Sequence, residues 1–378
     1  MTKTIRWYEP VFGEEEKRLV CDVLDGGYVN QGPRTRELEQ RLSTYLGVRH
    51  VVLTTSGTAA LFLAMEADKR VRGLTDFEVL VPDLAFFPAA TVVELAGGRP
   101  VLVDVESHAF TIDTEAAERK LTSRTRAIIP VQLLGRASDM AALDTMARAH
   151  DLTIIEDAAA CLGSMHEQRP LGTFGKTGCF SLQANKIIST GQGGFVVTND
   201  DSYFEKMVRI RDFGRLDNRE RLHEETGYNL KFNDILAAVG LVQLDRLEKR
   251  KSLLRAQWQR YADELAGVPQ VRFPTASLGS GTVPIYVDVL VSDRSNLVSF
   301  LRSCDIHPRE YWEPLHRNRP YRNLGDDEDF PMSTYVADHG LWLPNGPAVD
   351  LSDVSAVCGK IKEYYSLSSS SSESATSF

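Results

Sequence analysis

From about residue 48 to residue 200 the chain alternates short β-branched runs with stretches of helical composition, and few architectures satisfy that rhythm. VVLTT is followed by GTAALFLAME, VLVP by FPAATVVELAG, PVLVDV by TEAAERKL, AIIPV by DMAALDTMARAH, and LTIIED by a loop. Short apolar runs separated by amphipathic helices read as βαβ units, with strands buried on both faces of a mostly parallel sheet. The expected class is α/β, and ligands of such sheets bind at the carboxyl ends of the strands. The segment from Phe232 to about Ala266 reads as one long helix, capped by Asn233 or Asp234, with Ile235, Val239, Val242, Leu247 and Leu254 at helical spacing. Beyond Pro269, the β-rich VPIYVDVLV, the capped helix SDRSNLVSFLRSC and the terminal helix DLSDVSAVCGKIKEYY suggest a smaller α+β domain. The closing SLSSSSSESATSF has too little apolar content to offset its ordering entropy and is expected to be disordered. The expected division is a large domain over 1–250, a small C-terminal domain over 251–365 and a tail over 366–378.

Composition narrows the partners. The net charge is −9 with no basic block, which argues against a nucleic-acid or membrane-surface binder, since both use clustered Lys and Arg to neutralise phosphates. An acidic ligand would have to be held locally. No apolar run approaches the length of a spanning helix, and MTKTIRWYEP lacks the apolar stretch of a secretory signal, so the expected compartment is the cytoplasm. Cys21, Cys161, Cys179, Cys304 and Cys358 are widely spread without CxxC spacing, and His223 and His307 show no metal-ligand spacing. Neither a disulfide framework nor a metal site is expected.

Three segments far apart in the chain carry chemistry. Thr55-Ser56-Gly57-Thr58-Ala59-Ala60 joins a strand to a helix through small residues. Free N–H groups and the helix dipole suit that junction to an anion, although small residues at strand-to-helix turns are more often simple caps. In the run ending Glu156-Asp157, Asp157 follows an apolar strand and precedes small residues. Its carboxylate either caps the next turn or sits at the sheet's carboxyl edge, short of water and in need of a cationic or donor partner. The third segment places Lys186 between the apolar run CFSL and the Gly-rich turn Gly191-Gln192-Gly193-Gly194. Desolvation there would lower its pKa and free the amine as a nucleophile toward carbonyls. An anion cradle, a carboxylate able to keep a pyridine nitrogen protonated and an amine able to form a Schiff base are together the requirements of pyridoxal phosphate.

With these residues in view the chain resembles the DegT/DnrJ/EryC1/StrS family of sugar aminotransferases, which have the fold type I architecture of aspartate aminotransferase. The matching stretches run from Gly26-Gly27-Tyr28-Val29-Asn30-Gln31-Gly32-Pro33 through TSGTAAL, VPDLAFFPAATV, GGRPVLVDV, IEDAA, the Lys186 segment and Gly227-Tyr228-Asn229, and continue weakly to Pro314-Leu315-His316 and Leu343-Pro344. The resemblance implies a large cofactor domain, a smaller C-terminal domain and an enzyme dependent on pyridoxal 5'-phosphate. Lys186 would be the Schiff-base lysine and proton carrier, and Asp157 the partner of the pyridine nitrogen. Phe86 would stack on the ring, with neighbouring Phe87 competing for that place. Gly57, Thr58 and Ser181 would hold the phosphate from one subunit and Asn229 from the other, implying a homodimer with shared active sites.

Two positions depart from the family pattern. The residue three after the Asp, usually Gln or His, is Ala160, and the usual His of an upstream strand motif is Gln132. Either Gln132 supplies the missing donor to the cofactor's phenolic oxygen or a water fills the space. Family dehydratases carry His at the lysine position, so Lys186 points to a transaminase. The resemblance implies amino transfer from glutamate or glutamine to a keto sugar, most plausibly a nucleotide-linked 4-keto-6-deoxyhexose. The alternatives are a cyclitol ketone, a keto-octulosonate, or a non-catalytic cofactor-binding relative used for regulation. Tyr28, Asn30 and Gln31 on the N-terminal segment, and Arg309, Tyr311 and His316 on the C-terminal one, are the expected substrate residues.

Overall fold

The computed structural model of the chain describes residues 3–216, 221–275 and 281–373. Its centre is a seven-stranded sheet with the strand order His50–Thr54, Gly194–Thr198, Thr177–Ser181, Thr153–Asp157, Thr125–Ile128, Glu78–Pro82 and Arg99–Val103. Gly194–Thr198 runs antiparallel to both neighbours, and every other pairing is parallel. The strands fall on the β-branched runs read from the sequence, and helices cover the sheet. Helix Gly57–Arg72 shows how local signals define one of them. Ser56 caps its first turn, Lys69, Arg70 and Arg72 complement the dipole at its end, and Gly73 closes it at φ 65°. Leu61, Leu63, Ala64, Met65 and Ala67 along it are buried in one of the apolar cores beside the sheet.

The long helix expected over 232–266 is two helices, Asp234–Asp245 and Leu247–Leu265, divided at Arg246. The Arg246 N–H bonds back only three residues, to the Gln243 carbonyl, while its side chain reaches Glu16 at 2.7 Å. That short-range bond interrupts the i to i−4 ladder. Asn233 caps the first of the two helices by accepting from the Leu236 N–H. Asp234 instead reaches back across the chain to accept from the N–H groups of Gly32, Arg34 and Thr35 and from the Thr35 hydroxyl.

A second sheet, all antiparallel, has the order Val271–Arg272, Val287–Val291, Gly340–Leu343, Arg309–Glu310. The N-terminal residues, expected to go with the large domain, sit beside it. Ile5–Arg6 pairs in parallel with Ile306–His307, and Ile5 is buried in the core of the C-terminal elements, where its β-branched side chain finds apolar cover. The terminal helix does not stop where the tail was expected. It extends over Leu351–Glu373, with the Ser366 hydroxyl donating to the Lys362 carbonyl, because no Gly or Pro follows Tyr365 to stop it. Residues 374–378 of that tail lie outside the described residues. No helix among the described residues is long and apolar enough to cross a membrane.

One buried ion pair joins the two sheets. Arg136, just beyond the strand Thr125–Ile128, donates to both carboxylate oxygens of Asp288 at 2.8 and 3.0 Å and to the Ala109 carbonyl at 2.8 Å. The Tyr311 hydroxyl completes the shell of Asp288. Asp288→Ala leaves the guanidinium buried without its counter-charge and should cost about 3–5 kcal/mol of stability in urea unfolding. An apolar pair, Arg136→Met with Asp288→Leu, should recover most of that loss, and failure to recover would mean that the pair does more than neutralise charge.

Candidate active site

The carboxyl ends of the central strands open into a cavity of about 240 Å³. At one side, the strand His50–Thr54 enters the helix Gly57–Arg72. The Ser56 hydroxyl accepts from the Ala59 N–H at 3.0 Å, so the cap expected here is present. The Gly57 and Thr58 N–H groups belong to the first turn and have no intrahelical acceptor, so an anion there would find donors. A Cβ on Gly57 would lie 2.9 Å from the Ser181 Cβ, so only glycine admits this close approach. Gly57, Thr58 and Ser181 all line the cavity.

Asp157 ends the strand Thr153–Asp157 and is buried. One oxygen accepts the Ala159 N–H at 3.0 Å, and the other has no hydrogen bond among the described residues. The side chain therefore caps its turn through one oxygen and sits at the sheet's carboxyl edge beside the cavity. Burial raises its pKa above the carboxylate range, opposed by the Ala159 N–H and by the charge of Lys186. Lys186 lines the same cavity from a loop between two strands. Burial lowers its pKa, opposed by Asp157. Its amine has no hydrogen-bond or ion-pair partner among the described residues.

Phe86 lines the cavity, half exposed, with its ring 5.7 Å from Trp312. Phe87 turns the other way and packs on Tyr321 at 5.2 Å, which separates the two candidates. Arg309 also lines the cavity. Its guanidinium lies over the rings of Trp7 and Trp342, at 4.8 and 5.5 Å, with no acidic partner among the described residues.

Other expected residues lie elsewhere. Gln132 touches the cavity, but its amide is committed. It donates to Glu156 at 2.8 Å and to the Met140 sulfur, and accepts from the Ser138 N–H at 2.7 Å. It cannot also make up for Ala160, because both amide protons are used. What it completes is the shell of Glu156, a buried carboxylate that also accepts from the N–H groups of Gly172, Phe174 and Gly175. Tyr311 is buried with its hydroxyl on Asp288, since the chain leaves the strand after Glu310 and turns this ring inward. His316 is also buried. Its ring nitrogens meet Asp83 at 2.7 Å and Asp327 at 2.8 Å, so it latches the turn Leu315–Arg317 and has no nitrogen left for a substrate. Tyr28, Asn30, Gln31 and Asn229 do not line the cavity of this chain, and Tyr28 and Asn229 are exposed.

Sequence reasoning missed Gln183, Asn185, Tyr286, Trp312 and Trp342, which complete the wall. Tyr286 and Trp342 sit in or beside apolar strands and look like ordinary core aromatics. Trp312, inside HPREYWEPLH between two residues singled out from the sequence, carried the one available signal.

The sequence model of the DegT/DnrJ/EryC1/StrS aminotransferase family matches residues 10–362. A GDP-perosamine synthase of Vibrio cholerae is 30% identical over 367 residues, covering 95% of this chain and 98% of the relative. A GDP-perosamine synthase of Caulobacter vibrioides is 32% identical over 361 residues, covering 94% and 96%. The sugar aminotransferase CalS13 of Micromonospora echinospora superposes with a TM-score of 0.88 at 27% identity, covering 95% of this chain and 99% of that one.

Two variants test the site without any ligand. Because native Asp157 keeps its proton above the ordinary 3.8, the unfolded state ionises first as pH rises, and this residue costs the native chain stability through that window. In cofactor-free protein, Asp157→Asn should therefore gain on the wild type from about pH 4 upward, by about 1.4 kcal/mol per unit of displacement. Parallel melting curves across pH would show an ordinary carboxylate. Gln132→Ala removes one donor from buried Glu156 and should lower stability by about 1–3 kcal/mol in urea unfolding.

Proposed function

The chain belongs to the DegT/DnrJ/EryC1/StrS aminotransferase family, and from that premise we propose that it moves an amino group from glutamate or glutamine to a nucleotide-linked 4-keto-6-deoxyhexose, using pyridoxal 5'-phosphate. The observation that carries the reading is the pairing, in one cavity, of an amine and a buried carboxylate oxygen that have no hydrogen-bond partner among the described residues. The near full-length similarity to two GDP-perosamine synthases makes GDP-linked ketones the first to try. The lining fits the cofactor. The first-turn N–H groups of Gly57 and Thr58 and the Ser181 hydroxyl suit a phosphate, Phe86 offers a ring face, and Asp157 suits a protonated ring nitrogen. A Streptococcus pneumoniae protein assigned as a sugar aminotransferase, 25% identical with a TM-score of 0.88, has been solved in a PLP form.

The bound cofactor supplies an electron-accepting ring that stabilises negative charge on a carbon next to the transferred nitrogen. The chain's residues do the rest. Asp157, kept short of water, holds a proton at the ring nitrogen and sustains that electron demand. Lys186, whose pKa burial lowers, would take the proton from the donor's α-carbon. In the second half it returns a proton to the carbon that receives the nitrogen. Asn229, exposed and outside its own chain's cavity, would complete the phosphate site of a partner subunit in a homodimer, which we place in the cytoplasm.

The purified protein should be yellow, lose its visible absorbance with glutamate or glutamine, and regain it only with the right ketone. Mass spectrometry over GDP-, dTDP- and UDP-linked keto sugars and cyclitol ketones identifies that ketone. Recovery with a cyclitol alone would overturn the acceptor, and no bleaching by either donor would overturn transamination from them. Lys186→Ala should lose at least the 10²- to 10⁴-fold that a positioned proton carrier contributes.

A further inference from the structure

We infer that Tyr8 and Tyr286 are positioning residues for Lys186, each holding a carbonyl of the loop that carries the amine; this rests on the role proposed for Lys186 above. Residues 182–193 form neither helix nor strand. Main-chain bonds close the loop at its ends, from the Leu182 N–H to Gly193 and from the Thr190 N–H to Leu182, and the Lys186 N–H turns back to Gln183. The carbonyls at its centre are met from outside. The Tyr286 hydroxyl donates to Asn185 at 2.7 Å, the Tyr8 hydroxyl to Lys186 at 2.9 Å, and Arg250 to Ile187 at 2.7 Å.

Buried carbonyls need donors in any protein, so satisfaction alone would not single these out. What does so is convergence. Three consecutive peptide units are gripped by side chains from the N-terminal segment, the head of the strand Val287–Val291 and the helix Leu247–Leu265. The two tyrosines are also one unit: their rings meet edge to face at 5.7 Å, and both pack on Trp7, at 6.0 and 5.1 Å. Tyr286 stacks on Trp342 at 4.8 Å, and Arg309 lies over Trp7 and Trp342. One aromatic cluster thus supports both the backbone beneath the amine and the guanidinium across the cavity. A proton carrier on a long side chain works only if its reacting atom comes within about 3–3.5 Å of its target, and the backbone sets that reach. Releasing a carbonyl lets the peptide plane beside Lys186 rotate and moves the base of the side chain. Arg250 also donates to the Val11 carbonyl and to Gln243, so the tyrosines are the cleaner probes.

The test compares Tyr8→Phe and Tyr286→Phe with Tyr261→Phe. Tyr261 makes the same kind of buried bond, to the Pro344 carbonyl at 2.8 Å, outside the cavity wall. The readouts are melting temperature, the mass after borohydride reduction of the cofactor-loaded chain, the bleaching rate with whichever of glutamate or glutamine bleaches the wild type, and the change in that rate when the donor's α-hydrogen is deuterium. All variants should still be fixed to the cofactor by borohydride. Tyr8→Phe and Tyr286→Phe should bleach about tenfold more slowly. Their donor KM should stay within about twofold of the wild type, with a larger isotope effect because proton transfer limits the step more strongly. Tyr261→Phe should melt lower and keep the wild-type rate. Wild-type rates and isotope effects in Tyr8→Phe and Tyr286→Phe, whatever their melting temperatures, overturn the inference. A wild type that borohydride does not fix to the cofactor overturns the functional reading itself, and this inference with it.

Discussion

An amine that has to be free for chemistry cannot be anchored by its own nitrogen, so its backbone has to be anchored instead. Lys186 sits in a loop with no ladder of its own, and the carbonyls of Asn185, Lys186 and Ile187 are gripped by Tyr286, Tyr8 and Arg250. Much of the architecture serves that grip. The first strand pairs beside the C-terminal sheet, which carries Tyr8 to the loop, and the break at Arg246 sets the helix that bears Arg250. The Arg136–Asp288 pair holds the strand that begins just after Tyr286 against the central sheet.

Buried and partly buried carboxylates supply a second kind of fastening. Asp234 takes up the first N–H groups of the helix Pro33–Leu46, and Asp104 does the same for the helix Pro331–His339 through Met332 and Ser333. Glu156 gathers three N–H groups from the turn after Leu171, and Asp83 holds the turn at His316. Each puts negative charge where main-chain donors lack intrahelical or sheet partners. Asp157 belongs to the same population but differs in one respect: it lines a cavity, and among the described residues its second oxygen has no hydrogen bond.

That common chemistry explains which cavity residues could be read in advance. Lys186, Asp157, Gly57, Thr58 and Ser181 lie at junctions where a strand ends in residues that make poor core, so local pattern exposes them. Tyr311, His316 and Gln132 are polar groups in motif-bearing segments too, yet each spends its polar atoms on a buried neighbour. Which neighbour is a matter of packing between segments 23 to 233 residues apart in the chain, and spacing along the sequence cannot reveal it.

The sequence by itself determined the α/β class, the positions of the central strands and the placing of a small-residue helix start, a carboxylate and a lysine at or beyond strand ends. Hydrophobic period, caps and turn residues act over a few neighbours and are written locally. Only the tertiary structure decided that Phe86 and not Phe87 lines the cavity, that Ile5 and Arg6 join the C-terminal elements, that the long helix breaks at Arg246 and that Trp312 and Tyr286 complete the wall. Those outcomes depend on which distant surfaces meet, where burial free energy is shared among many weak contacts and no single residue carries the signal.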